Sequence, residues 1–357
     1  MSSSLNKDAV ATLSRSPARP AYTARATLRK TLIVCGALTV LLMCVVTVAA
    51  MLGSERLPLV DALRALFTGG ANSGALTSTQ RAILFDIRLP RILLAATVGA
   101  SLAAAGASYQ ALLRNALAEP YLLGVSNGAA VGTMVALVFF GANEWTRPLM
   151  AFAGALSATF LVYRLARGRV GASPERLILA GVIVTTFQSS VIVFITTLMD
   201  ATRIRSFTFW LLGDLSQAAS GSLWIAVVST IAGVAALTSR ARQLNLMMLG
   251  ERDAFDLGVE VERVRLQVFL AASLLVGVSV ALSGSVGYVG LVVPHLVRMS
   301  ASGDNRLTIP AAALAGASFV IVADTLARTV IAPRELPVGA ITALIGAPLF
   351  IYLLKRR

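Results

Sequence analysis

Residues Leu244–Arg265 read LNLMMLGERDAFDLGVEVERVR, a charged island between two long apolar runs. The island carries five carboxylates, on Glu251, Asp253, Asp256, Glu260 and Glu262. The runs on either side, roughly 221–239 and 266–284, are each long enough to cross a bilayer core of about 30 Å as a helix. Inside the island a short amphipathic helix is expected over Glu251–Leu257, with Gly258 as its C-cap and a second turn after it. Such an element is either a solvated connection between two spans or a docking helix for a soluble partner.

The composition gives the class. Of the 357 residues, 57% are hydrophobic and 13% charged, against about 25% charged in soluble domains. Apolar runs of about 20 residues recur from Thr31 to the C-terminus. These features describe an all-α polytopic membrane protein with no soluble domain of useful size. The net charge of +14 raises the question of nucleic acid. The basic residues, however, are spread among short loops and form neither a face nor a stripe, so nucleic acid is excluded as a partner. Cys35 and Cys44 sit about 13 Å apart along one helix and cannot bridge. They read as small apolar fillers.

Residues 1–30 form a Ser/Ala/Arg tail, read as cytoplasmic and disordered, and residues 31–357 form one transmembrane domain. The run Thr31–Leu52 is too long for a signal-peptide core and is a retained first span. Ten spans are expected, at roughly 31–52, 91–112, 119–140, 146–166, 176–199, 221–239, 266–284, 288–300, 309–331 and 337–354. The eighth is short, and the tight GSVGYVG turn before it suggests a half-length helix packed against its neighbours. With the tail inside, both termini and the loops 113–118, 164–176, 240–265 and 298–308 face the cytoplasm. Together they hold about two thirds of the Arg and Lys residues, as the positive-inside rule requires. In the second span Ala95, Gly99, Ala103 and Ala107 fall on one face, a stripe that lets helix backbones approach closely.

The chain has no internal source of energy. No G-x-x-x-x-G-K-[ST] loop is present and the only lysines are Lys7, Lys30 and Lys355, so it cannot hydrolyse ATP by that mechanism. An ion-coupled carrier would place ionisable groups at mid-depth. Here only His295 and Asp324 are candidates, both toward the ends of their spans. A lone imidazole lacks the further ligands of a metal site, so His295 reads as a packing hydrogen bond. Asp324 reads as a carboxylate satisfying neighbours near the outer interface. No cofactor or metal is expected. The outer segment Asp200–Gln217, with Arg203, Arg205, Phe207, Phe209 and Trp210, is either an interfacial aromatic belt or a lining for cargo.

Six segments then follow one another in order: RLPR (Arg88–Arg91), QALLRNALAEPYLLGVSNGAAVG (Gln110–Gly132), LNLMMLGERDAFDLGV, GSVGYVGLVVPHLVR (Gly284–Arg298), ADTLAR (Ala323–Arg328) and ELPVGAITALIGAPLFIYLL (Glu335–Leu354). Together they resemble the permease subunit of the binding-protein-dependent ATP-binding-cassette importers for iron-siderophores, haem and cobalamin. The resemblance covers nearly everything after residue 30. It implies a type II ABC importer permease, a homodimer with the pathway at its interface, in the cytoplasmic membrane of a bacterium. Two cytoplasmic ATPase subunits and a periplasmic or lipid-anchored binding protein are the implied partners. The implied cargo is a ferric siderophore, with cobalamin or haem as the alternative.

Residue roles follow from the same resemblance. Arg88, Arg91 and Arg328 match arginines whose outward-facing pockets receive glutamates of the binding protein. Asn115 and Leu117 match the cytoplasmic gate, although Ala116 stands where the family commonly has proline. The other gate segment reads Ser173-Pro174-Glu175 here and is assigned no role. Leu249, Gly250, Glu251, Ala254, Leu257 and Gly258 match the coupling helices that insert into the ATPase subunit.

Overall fold

The computed structural model describes residues 28–53, 76–140, 145–168, 171–216 and 220–355. All but the last three residues of the expected tail, 1–30, therefore lie outside the described residues.

Six helices are long and apolar enough to cross a membrane: α1 (Leu28–Met51), α2 (Ser78–Leu112), α4 (Thr146–Ala166), α5 (Pro174–Thr196), α10 (Val261–Ser283) and α12 (Asn305–Thr329). A seventh span is the pair α7 (Ser220–Ser239) and α8 (Ala241–Met247), bent by 47° at its break. Three shorter apolar helices, α3 (Val125–Phe140), α11 (Val289–Ser300) and α13 (Val338–Lys355), bring the apolar elements to ten. Two further helices, α6 (Ala201–Leu211) and α9 (Glu251–Asp256), lie between spans. Each expected span finds its helix, with ends that differ by up to six residues in all but one case.

The exception is α2, expected from residue 91 and found to begin at Ser78. Proline normally stops a helix because it has no N–H and clashes with the preceding turn. Here the turn before Pro90, Ile83–Arg88, is π-helical, and this wider turn lets the helix continue through the proline. The start of α2 is fixed by a reciprocal cap: Thr77 Oγ1 accepts from the Gln80 N–H, and Gln80 Oε1 accepts from the Thr77 N–H, both at 3.2 Å.

Between lipid-bathed helices there is no net hydrophobic drive, and close van der Waals packing has to hold the bundle. The small-residue stripe of α2 supplies it. Ala95, Gly99, Ala103 and Ala107 are all buried, and α2 crosses α12 backbone to backbone. A Cβ on Gly99 would sit 2.1 Å from the Gly316 carbonyl oxygen, and one on Gly106 would sit 2.0 Å from that of Gly290. Gly128 and Gly154 make the same contact between α3 and α4. By contrast α1 buries only Ala49 and Ala50 and turns Leu32, Ile33 and Val40 outward, as a lipid-facing peripheral helix would.

The GSVGYVG segment makes the tight turn its sequence suggested. Gly284 and Tyr288 both adopt positive φ, 69° and 67°. A side chain at Gly284 would collide with the Trp210 carbonyl at 1.9 Å. The loop is held from across the bundle, since Tyr121 Oη accepts from the Val286 N–H at 2.7 Å and Glu119 Oε1 from the Tyr288 N–H at 2.9 Å. The half-length helix α11 follows directly.

Gly99→Val would force α2 away from α12. Overpacking a tight contact costs about 1–3 kcal/mol even where neighbours can yield, and here the neighbour is backbone. The variant is expected to melt several degrees lower in detergent, while Gly36→Val, with nothing within 4 Å of its Cβ, melts as the parent does. Equal midpoints for the two variants would contradict this crossing.

Candidate functional site

The charged island folds into α8, α9 and the start of α10. α9 has six residues, bounded by Gly250 at φ 151° and Gly258 at φ 83°. Gly258 follows the helix as a left-handed stop, and the Val259 N–H donates back to Ala254 O at 3.0 Å. Ala254 is fully buried against the body of the protein. Leu249, Phe255 and Leu257 point outward and are 58, 70 and 63% exposed. Three large apolar side chains on one short polar element form a patch that calls for a cover.

The same helix is tied inward by charge. Glu251 forms ion pairs with Arg265 at 2.7 Å and with Arg114 at 3.5 Å. Arg265, in the first turns of α10, is only 1% exposed and also pairs with Glu262 and with the Ala172 carbonyl oxygen. Glu262 in turn accepts from the Ala172 N–H at 3.3 Å. Ala172 belongs to a two-strand hairpin, β1 (Arg167–Gly168) and β2 (Gly171–Ala172), which leads into α5. One buried guanidinium thus joins four segments: α9, α10, the hairpin before α5 and, through Glu251, the loop after α2.

That loop contains Asn115 and Leu117. Asn115 Oδ1 accepts from the Leu117 N–H at 2.9 Å, an Asx turn, and the Arg114 backbone beside it has φ 49°. The side-chain bond restrains the turn locally where the usual proline is missing. Ser173, in the other loop, caps α5 by accepting from the Arg176 N–H at 3.4 Å. Helix α8 is fastened separately. Asn245 Nδ2 donates to Asp304 Oδ1 at 2.6 Å, and Asn245 Oδ1 accepts from the Asn305 N–H at 2.9 Å. Burial would raise the Asp304 carboxyl, but the Arg306 and Asn245 hydrogen bonds outweigh it and bring it down to about 2.

At the opposite end of the bundle the three RLPR and ADTLAR arginines come together. Arg88 donates to Ala50 O (2.8 Å) and Met51 O (3.1 Å), and Arg328 to Ala49 O (3.1 Å), so both satisfy the last carbonyls of α1. Arg91 pairs with Asp324 at 2.9 Å and with Glu335 at 2.8 Å, and Arg328 pairs with Asp324 at 3.3 Å. The expectation that Asp324 satisfies neighbours is met by two guanidiniums. All three arginines are buried, at 4, 8 and 8% exposure. Arg91, Asp324 and Arg328 form an internal ionic network, in which Glu335, with a side chain 51% exposed, is the exposed acidic partner, and Arg88 meets Arg328 at the end of α1.

Beside this network lies a cavity of about 470 Å³, lined among others by Arg91, Arg147, Arg205, Trp210, Asp214 and Glu335. The aromatic segment divides between two roles. Phe207 and Trp210 stack on each other in the core, with ring centroids 6.1 Å apart, while the half-exposed Phe209 carries the Arg205 guanidinium at 5.9 Å. His295 is buried and meets the Phe350 ring edge-on at 5.9 Å.

Phe255 and Arg265 are the functional candidates that reading the sequence missed. Phe255 had a signal, a large apolar residue among charges. Arg265 had none, because its burial depends on Ala172 and Glu251, which lie far from it or on another element.

Residues 40–356 match the FecCD transport family. The chain is 40% identical over 309 residues to the hemin transport system permease protein HmuU of Yersinia pestis, covering 82% of this chain and 92% of that one. It is 42% identical over 279 residues to the cobalamin import system permease protein BtuC of Halobacterium salinarum, covering 78% and 75%. Among solved structures it superimposes with a TM-score of 0.81 and 30% identity on a metal-chelate type ABC transporter in an inward-facing conformation, covering 91% of this chain and 99% of that one. Sequence and fold are thus shared with transport permeases along most of the chain, and the chain belongs to the FecCD transport family.

Proposed function

We propose that this chain is the transmembrane permease of an ATP-driven importer, worked from outside by a separate ATPase subunit. The observation that carries this reading is α9. It presents Leu249, Phe255 and Leu257 to solvent while its Glu251 is bound to the loop that holds Asn115 and Leu117. Residues 31–357 act as one permease domain with both termini, and the tail 1–30, in the cytoplasm. Two copies pair about the pathway, each carrying one ATPase subunit.

The mechanism is mechanical. ATP closes the ATPase dimer, and α9, seated in it through its apolar patch, moves with it. Arg265, Glu251 and Arg114 pass that displacement to the Asn115–Leu117 turn and to the hairpin before α5. The gate changes state as the rigid elements shift. The ATPase biases the equilibrium because it contacts the two states differently.

On the outer side Arg88, Arg91 and Arg328 receive carboxylates from the binding protein. Guanidinium forks suit that pairing. In the free chain Glu335 holds the position on Arg91 that an incoming carboxylate would take, so docking is an exchange of one carboxylate for another. The cargo is a metal chelate delivered ready-made. The hemin and cobalamin permeases among the relatives support a macrocyclic chelate, haem or cobalamin, over a ferric siderophore.

Two tests separate the two faces. Phe255→Asp with Leu257→Asp is expected to weaken ATPase-subunit binding at least about ten-fold, the size expected when apolar hot-spot residues are lost, with the melting temperature unchanged. ATPase binding equal to the parent would reduce α9 to a connector. Glu335→Gln is expected to tighten binding-protein association several-fold and Arg91→Gln to weaken it, most visibly at low salt. If both variants shift affinity in the same direction, the exchange is wrong.

A further inference from the structure

Helices α7 and α10 run side by side, and a Cβ on Gly233 of α7 would lie 2.5 Å from the Leu275 side chain of α10. At the foot of this pair, where α7 breaks into α8, the chain surrounds an open cavity of about 450 Å³. Three guanidiniums line it, from Arg240, Arg242 and Arg263, with a single carboxylate, Glu260. Glu260 pairs with Arg263 at 3.2 Å. The side chains of Arg240 and Arg242 have no ion pair or hydrogen bond among the described residues. Gln243 and Gln267 line the same cavity, and each has a buried amide oxygen without a hydrogen-bond partner. Neither amide N–H₂ group has a hydrogen bond among the described residues, and each carries two N–H donors, so both can donate to an anion. The cavity therefore has surplus positive charge, unused donors and room for a phosphate.

The surface above the cavity indicates where that phosphate comes from. On α10, Arg263, Gln267, Leu270 and Leu274 are spaced i, i+4, i+7, i+11 and share one face. Leu270 and Leu274 are 46 and 44% exposed. On α7, Trp224, Val228 and Ile231, spaced i, i+4, i+7, form a second exposed apolar line, 71, 62 and 66% exposed. A polar, cationic pocket beneath two apolar, lipid-facing stripes matches an amphipathic anion better than a free ion.

We propose that this cavity binds the phosphate headgroup of an anionic membrane phospholipid, with its acyl chains along α7 and α10. Its place in the cytoplasmic leaflet rests on the topology proposed above, whereas the binding itself does not. Leu257 and Gly258 form part of the cavity wall, so a bound headgroup braces the end of the coupling segment against α10.

The test uses the purified full-length chain in detergent, delipidated and titrated with phosphatidylglycerol, phosphatidylcholine or inorganic phosphate, and read by native mass spectrometry and thermal melting. Phosphatidylglycerol is expected to remain bound and to raise the melting temperature, with the other two probes much weaker. Arg240→Gln, Arg242→Gln and Arg263→Gln together are expected to cut phosphatidylglycerol affinity at least about ten-fold, from the contribution of each basic residue beside an anionic headgroup. Arg→Lys at the same three positions retains most of it. Arg252→Gln, which removes an exposed charge on α9, leaves it unchanged. Should the triple variant fail to purify, Arg242→Gln alone is expected to lose several-fold. Phosphatidylglycerol affinity unchanged in the glutamine variants, or phosphatidylcholine bound as tightly, would overturn the site. Inorganic phosphate stabilising the chain as much as phosphatidylglycerol would overturn the lipid assignment.

Discussion

The buried guanidinium of Arg265 is the constraint from which the working parts of this protein follow. A charge with 1% exposure must be paired and hydrogen-bonded. Its partners come from three places: Glu251 on α9, Glu262 on α10 and the Ala172 carbonyl oxygen of the hairpin. Stranding such a charge typically costs about 3–5 kcal/mol, so these segments have reason to move together. Together with the buried Ala254, this tie fixes α9 between Gly250 and Gly258, the two points where its chain is freest to pivot. Glu251 also reaches Arg114, beside the Asn115–Leu117 turn, at 3.5 Å.

The outer end of the bundle repeats the device. Asp324 sits between Arg91 and Arg328, and Arg88 and Arg328 hold the last carbonyls of α1. Between the two ionic ends the helices meet through glycine and alanine, backbone against backbone. This division follows from lipid as solvent. Apolar surface gives no preference for a protein neighbour over an acyl chain, so shape holds the middle and charge holds the ends.

Much of this was legible in the sequence. The ten apolar elements could be read because a bilayer demands continuous helices of fixed minimum length. The stripe Ala95, Gly99, Ala103 and Ala107 could be read because its period is helical. The shortness of α11 was visible in the glycines before it. The early start of α2 was hidden, since Pro90 normally stops a helix and a π-turn leaves no local mark. Arg265 stands among charges in the sequence, and its burial depends on Ala172, distant in sequence. Ala254 matched a coupling position by motif but faces inward, while the adjacent Phe255 carries the exposed surface. Spacing alone could not bring Arg88, Arg91 and Arg328 together. Resemblance suggested their grouping, and the closing partner Glu335 was beyond either route.

The energy for transport enters this protein from outside the chain. The direct test is uptake into proteoliposomes holding this chain with its ATPase subunit and binding protein, using labelled haem, cobalamin and ferric siderophore. Uptake of haem or cobalamin that requires both ATP and the ATPase subunit, and is indifferent to proton or sodium gradients, is the result expected. Uptake that persists without the ATPase subunit and follows an ion gradient would contradict an outside source of energy.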